Sequence, residues 1–177
     1  TVARQILKPP PPLTISKWAD EYRYVSREVS SYPGKWQTAR VPYMREIMDC
    51  VNDPRVEYIV VQKGSRMAVT EGLVNNVMGY HIHYDPCPML YTQQTLGEGQ
   101  KYSDKILSYL VRDTPVLAER VLPENPRDKT NTKLHKSFPG GDLTIVGANT
   151  PTGFRLIEVR IVFCDDVDGW QATPEGD

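Results

Sequence analysis

Apolar positions along this chain follow two rhythms, and the rhythms alternate. In TISKWADEYRYVS (14–26), Trp18, Tyr22 and Val25 recur at helical spacing, with Thr14 or Ser16 as the N-cap. PYMREIMDCVND (42–53) sets Met44, Ile47, Met48 and Val51 on one helical face, with Pro42 near its start. The β-branched run VEYIVVQ (56–62) then predicts a strand, and a helix follows from about Thr70 to His81. PMLYTQQT (88–95) reads as a second strand. A helix over about 97–111 carries Tyr102, Ile106, Tyr109 and Leu110 on one stripe, and a short one follows near 115–121. LHKSFPGGDLTIVGAN (134–149) predicts a hairpin, Pro-Gly-Gly turning into a strand at Leu143–Val146. VRIVFCDDVD (159–168) is a continuous apolar run ending in acids, the pattern of a strand buried on both faces. Strands alternating with helices predict an α/β fold, an open and mostly parallel sheet flanked by helices.

The segments between divide the chain. Residues 1–13 include KPPPPL, a stiff proline-rich arm or linker. Residues 14–54 form a helical extension around the aromatic loop SSYPGKWQTARVPY, and 55–177 form the core. A length of 177 residues suits one compact domain. The formal net charge of -1 provides no global basic field, so any nucleic-acid contact needs a local patch. Cys50, Cys87 and Cys164 are odd in number and make no CxxC pair, which argues against a disulfide framework or zinc ribbon and fits a reducing cytoplasm. No apolar run approaches the roughly 18 residues of a spanning helix, and no signal peptide opens the chain. Thr1 in place of an initiator methionine, and the polar end QATPEGD, suggest a piece of a longer protein.

Candidate chemistry lies in VEYIVVQKGSRMAVTEGL (56–73), a strand-loop-helix layout suited to phosphate. The pattern G-x-x-x-x-G-K-[ST] asks for glycine at 63 and 68 and lysine at 69. The chain has Lys63, Ala68 and Val69. Asp165-Asp166 end the last strand, where one carboxylate can hold Mg²⁺ and the next can orient an attacking water. Both strand ends open on the same edge of such a sheet.

These segments resemble the N-terminal ATPase region of the large terminase subunit of lambda-like tailed phages. The likeness runs through LTISKWADEYRYVS, PGKWQTARVPYMREIMD, VVQK, DPCPMLYTQQTL, VRDTP, NTKLHKSFPGGDLTIVGAN and IVFCDDVD, in order. It implies a P-loop NTPase fold of the RecA-like, ASCE type. The family's phosphate loop, similar to K-S-A-[RQ]-V-G-[KY]-[ST], carries its lysine at the front, where Lys63 stands. By that match Lys63, Gly64, Ser65, Arg66, Met67, Ala68, Val69, Thr70 and Glu71 form the ATP-binding loop. Lys63 reaches the β/γ-phosphates, Arg66 stabilises transition-state charge, and Thr70 with Asp165 holds Mg²⁺. Asp166 stands where the family has glutamate and orients water. Tyr32 is the implied adenine-stacking residue, with Gln37 and Arg40 as weaker contacts; a turn aromatic packed on Trp36 is the alternative.

The resemblance further implies a DNA-packaging motor, with double-stranded viral DNA, the small terminase subunit, the portal protein and a homo-oligomeric ring as partners. It places the protein in the host cell cytoplasm at the procapsid, with no membrane partner. The family's nuclease domain is absent from these residues. Three features depart from the family: Gly64-Ser65 for Ser-Ala, Ala68 for glycine and the shorter Asp166. They leave a degenerate P-loop docking module as the competing reading, with a helicase-like ATPase as a third.

Other residues have bland alternatives. Gln93-Gln94-Thr95 suit DNA or coupling contacts, or simply a capped helix start. His81 and His83 lack partners at metal-ligand spacing and read as surface or core histidines. Pro42-Tyr43 read as helix-start packing. Lys129, Lys133 and Lys136 form a DNA-facing strip or a solvated loop. Arg155 precedes the acidic strand, as a nucleotide sensor or a partner for its acids.

Overall fold

The computed structural model describes residues 13–122, 131–150, 154 and 158–170. The amino-terminal part comprises α1 (Ile15–Tyr22), an antiparallel ribbon of β1 (Tyr24–Val25) and β2 (Gly34–Lys35), a 3-10 turn (Thr38–Arg40) and α2 (Met44–Cys50). Thr14 occupies the N-cap position of α1 without making a side-chain cap bond. The free amides of Ile15 and Ser16 donate instead to Asn52 Oδ1 (2.9 Å) and Asp49 Oδ1 (3.0 Å), so the end of α2 caps α1. Val25, predicted on the α1 stripe, belongs to β1 because the helix ends at Tyr22.

A π-helical turn (Thr70–Val74) leads into α3 (Asn75–His83), and β3 (Met89–Gln93) follows. Next come α4 (Leu96–Tyr102), a second π-helical turn (Ser103–Leu107) and α5 (Ser108–Asp113), where one helix is predicted over about 97–111, and then α6 (Pro115–Ala118), within the short helix predicted near 115–121. Thr95 caps α4, its hydroxyl accepting from the Glu98 amide at 3.3 Å. The sheet is completed by β4 (His135–Phe138), β5 (Gly141–Gly147) and β6 (Ile161–Cys164), in the order β4-β5-β3-β6. β3 runs parallel to both β5 and β6, while β4 and β5 make the predicted hairpin.

The core gathers Trp18, Met44 and Met48 from the amino-terminal part with Met78, Ile82, Tyr91, Leu107, Leu117 and Leu143. Close approach depends partly on Gly72, where a Cβ would stand 3.1 Å from the Trp36 ring. The amino-terminal part is thus packed directly onto the helix that follows the candidate phosphate loop. Among the described residues no helix is long and apolar enough to cross a membrane.

Two further predictions fail. Residues 56–62 have the composition of a strand and form none. Tyr58 is 87% and Val60 93% exposed, and among the described residues no strand pairs with them. β6, expected to be buried on both faces, pairs with β3 alone among the described residues and leaves Val162 and Cys164 exposed. A strand exists only where a neighbour receives its N–H and C=O groups, and composition cannot supply that neighbour.

Candidate nucleotide site

Because β3, β5 and β6 are parallel and in register, their carboxyl ends reach one edge together, with Gln93 opposite Gly147 and Thr92 opposite Cys164. The Asp165 amide donates to the Thr92 carbonyl at 3.1 Å, carrying the ladder one step past β6. Side chains alternate along a strand, so Asp165 shares a face with Phe163, and Phe163 lies opposite Tyr91. Strand parity therefore places Tyr91, Gln93 and Asp165 together.

Asp165 is buried, at 6% exposure, and well bonded. Its Oδ2 accepts from the Thr70 hydroxyl (3.2 Å) and the Tyr91 hydroxyl (3.0 Å), and its Oδ1 from the Asp166 amide (3.1 Å). Trp170 Nε1 closes the turn onto the Asp165 carbonyl at 3.2 Å. Asp166 takes a left-handed backbone, φ 50°, and its exposed carboxylate faces Lys63 Nζ at 3.4 Å. The front of the loop and the second acid thus meet, as do Thr70 and the first acid.

Residues 62–68 between them are exposed, while Val69 is buried and anchors the loop's end. Arg66 (φ 60°) and Ala68 (φ 56°) are both left-handed. Glycine tolerates that region and a Cβ resists it, which gives the missing second glycine a local cost. The Tyr43 hydroxyl donates to the Met67 carbonyl at 3.1 Å, holding the loop from the amino-terminal side.

Other predicted residues go elsewhere. Glu71 turns inward and pairs with Arg23 at 2.7 Å, a guanidinium only 1% exposed. Burial drives Arg23 below its ordinary range, and Glu71 opposes that shift. Tyr32 is exposed, with the Arg40 guanidinium 5.7 Å from its ring centre, while Trp36 packs on Gly72. Gln37 is exposed. Gln94 lies against Gly169. His81 and His83 sit on α3. Nδ1 of His81 donates to the Asp85 carbonyl at 2.9 Å, and His83 accepts from Trp18 Nε1 at 3.0 Å. Lys133 pairs with Asp104 at 2.9 Å and Lys136 is buried on β4, so the two do not form a solvent-facing strip. Lys129, Arg155 and the proline run of the arm lie outside the described residues.

Sequence reading missed Tyr91, Arg23 and the Tyr43 contact. Tyr91 was within reach, because its i, i+2 relation to Gln93 on a strand already puts the two on one face. Burial pushes the phenols of Tyr91 and Tyr102 far above their ordinary range, so Tyr91 stays a hydrogen-bond donor at any working pH.

The oxygen donors here fit Mg²⁺. Among the described residues no three His, Cys, Asp or Glu side chains cluster as a metal cage. An ion that is held by one or two carboxylates, a hydroxyl and substrate phosphates needs no such cage.

The family model described as "Phage terminase large subunit gpA, ATPase domain" matches residues 30–177. The chain is similar to a "Terminase, large subunit" of Enterobacteria phage P21, 25% identical over 167 residues, covering 94% of this chain and 26% of that protein. It is also similar to a "Terminase, large subunit" of Escherichia phage lambda, 26% identical over 159 residues, covering 89% of this chain and 24% of that protein. The chain thus spans about a quarter of the length of these relatives. No solved structure matches it.

Proposed function

Because the chain belongs to the family of phage terminase large subunit ATPase domains, we propose that it is the Mg²⁺-dependent ATPase module of a motor that drives double-stranded viral DNA into a capsid. The observation that carries this is the Thr70–Asp165 hydrogen bond, which joins the loop after 56–62 to the acidic end of β6. Lys63 and the loop amides bind the triphosphate, and Arg66, exposed at the apex, faces developing charge on the γ-phosphate. Thr70 and Asp165 hold Mg²⁺, which when bound supplies charge neutralisation to the phosphates. Asp166 orients the attacking water. Its contact with Lys63 parts as the phosphates take the ammonium, which frees the carboxylate. Tyr32 stacks on adenine, Arg40 backing its ring.

In this reading residues 14–54 are the adenine-side extension and 55–177 the catalytic core of a larger protein. The partners are viral DNA, the small terminase subunit, the portal protein and further copies in a ring, in the host cytoplasm at the procapsid. Calorimetry of a non-hydrolysable ATP analogue with Mg²⁺ tests the site, comparing wild type with Lys63→Ala and Asp165→Ala. Both substitutions weaken binding if the loop and the acidic strand form one site. Absence of binding in the wild type overturns the reading.

A second reading, a domain that binds nucleotide or DNA and assembles the terminase without efficient turnover, draws on Ala68. Its left-handed backbone puts a Cβ where the loop would approach phosphate. Tight analogue binding without phosphate release from ATP would favour it.

A further inference from the structure

Gln93, Tyr91 and Asp165 form a hydrogen-bonded series that the roles above do not require. Gln93 Nε2 donates to the Tyr91 hydroxyl at 2.7 Å, and Tyr91 donates to Asp165 Oδ2 at 3.0 Å. The direction follows from donor inventory: an amide nitrogen only donates, a phenol has one proton, and a carboxylate accepts. With Gln93 on the phenol oxygen, the Tyr91 proton points to Asp165. The Tyr91 ring cannot drift, because it is fully buried and stacked on Tyr102, with centroids 4.0 Å apart and planes 20° from parallel. Tyr102 in turn donates to Asn75 Oδ1 at 2.7 Å, and Asn75 is the first residue of α3, directly after the π-helical turn that Thr70 opens. The series thus connects the end of β3 to the loop-bearing helix through the acid itself.

Apart from Tyr91, the carboxylate is held by the Thr70 hydroxyl on Oδ2 and by the amide of its chain neighbour Asp166 on Oδ1, about a terminal torsion that is broad and roughly two-fold. Tyr91 adds a second, buried bond to Oδ2. We propose that Tyr91, its proton aimed by Gln93, is a positioning residue that fixes the Asp165 carboxylate for the divalent cation arriving with a nucleoside triphosphate. The inference rests on the nucleotide reading of the site. Partners of a ligating carboxylate typically govern metal affinity by about 10–100-fold.

Mn²⁺ replaces Mg²⁺ in the test, and electron paramagnetic resonance follows free Mn²⁺ as it is titrated with a non-hydrolysable ATP analogue. Wild type, Tyr91→Phe, Gln93→Leu and the double variant are compared. Tyr91→Phe keeps the stacked ring and loses only the hydroxyl. It requires about tenfold more Mn²⁺ for the same occupancy, while analogue binding in chelator stays at the wild-type level. Gln93→Leu shows a smaller loss, and the double variant is no worse than Tyr91→Phe because both act through one bond. A shared fall in thermal midpoint with unchanged Mn²⁺ requirement would mean a purely structural role and overturn the inference, leaving the site reading intact. Additive losses overturn the series. If wild type shows no Mn²⁺-dependent analogue binding, the site reading fails and the inference falls with it.

Discussion

The Trp18 indole lies against Gly79 so closely that a Cβ on Gly79 would stand 2.4 Å from the Trp18 Cη2 atom. This contact docks α1 on α3, the helix that leads away from the candidate phosphate loop. Gly79→Ala therefore destabilises the protein by about 1–3 kcal/mol through overpacking, outweighing a helix-propensity gain of about 1 kcal/mol. Urea unfolding measures it. Adding Trp18→Phe, which removes the crowding ring edge, recovers part of the loss; no coupling between the two sites would refute the contact.

The Arg23–Glu71 pair links the end of α1 to the residue after Thr70. Removing one partner strands the other charge in the interior, so Glu71→Gln or Arg23→Met costs about 3 kcal/mol. The double variant Arg23→Met with Glu71→Leu costs less than the sum of the single changes. Equal or greater loss in the double variant would show that the ion pair itself, rather than the stranded charge, sets the penalty.

Ala68 holds φ 56° without being glycine. Ala68→Gly relieves strain of about 1 kcal/mol, against a smaller entropic cost in the unfolded chain, and stabilises the domain slightly. Chemical denaturation reads the sign directly. A lower midpoint in the glycine variant would contradict a left-handed backbone here.

His81 is almost fully buried, and burial lowers its pKa from 6.5, outweighing the opposing effects of Asp85. Nδ1 serves the Asp85 carbonyl, and among the described residues buried Nε2 has no partner. Protonation would put a charge inside the fold that the Asp85 carboxylate, 3.6 Å from Nδ1, offsets only in part. The unfolded chain binds the proton first, so stability is present above about pH 6.5 and falls as pH drops below it. His83 is lowered too, mainly by burial, and adds to the same trend. The melting temperature decreases between about pH 7.5 and 5.5, and His81→Gln flattens the decrease. A wild type whose melting temperature rises with acid over this window would exclude the mechanism.

Periodicity carried the helices at 15–22 and 44–50, because each has an apolar stripe that selects its own conformation; the helix at 75–83 is buried nearly all round. The β4–β5 hairpin was equally legible, as its turn residues act locally, with Gly140 at φ 89°. The strand expected at 56–62 was not, since its fate depends on a neighbouring backbone that no local pattern records. Within the site, Lys63, Thr70 and the two aspartates were readable as residue types suited to phosphate and metal. Glu71 looked like one of them and faces Arg23.

Residue order alone sets local form and chemical inventory: which stretches coil, where turns break them, and which acids, hydroxyls and cations are on hand. Tertiary structure decided who meets whom. Thr70 and Asp165 share a bond across 95 positions only because the helix that follows the loop packs into one core with the sheet whose β6 ends at that acid. Tyr91 reaches that same acid because strand parity and the stack on Tyr102 leave its hydroxyl facing there. Periodicity arises from forces between residues a turn apart, whereas pairing, burial of charge and the assembly of a site depend on contacts between distant segments, which exist only once the chain has packed.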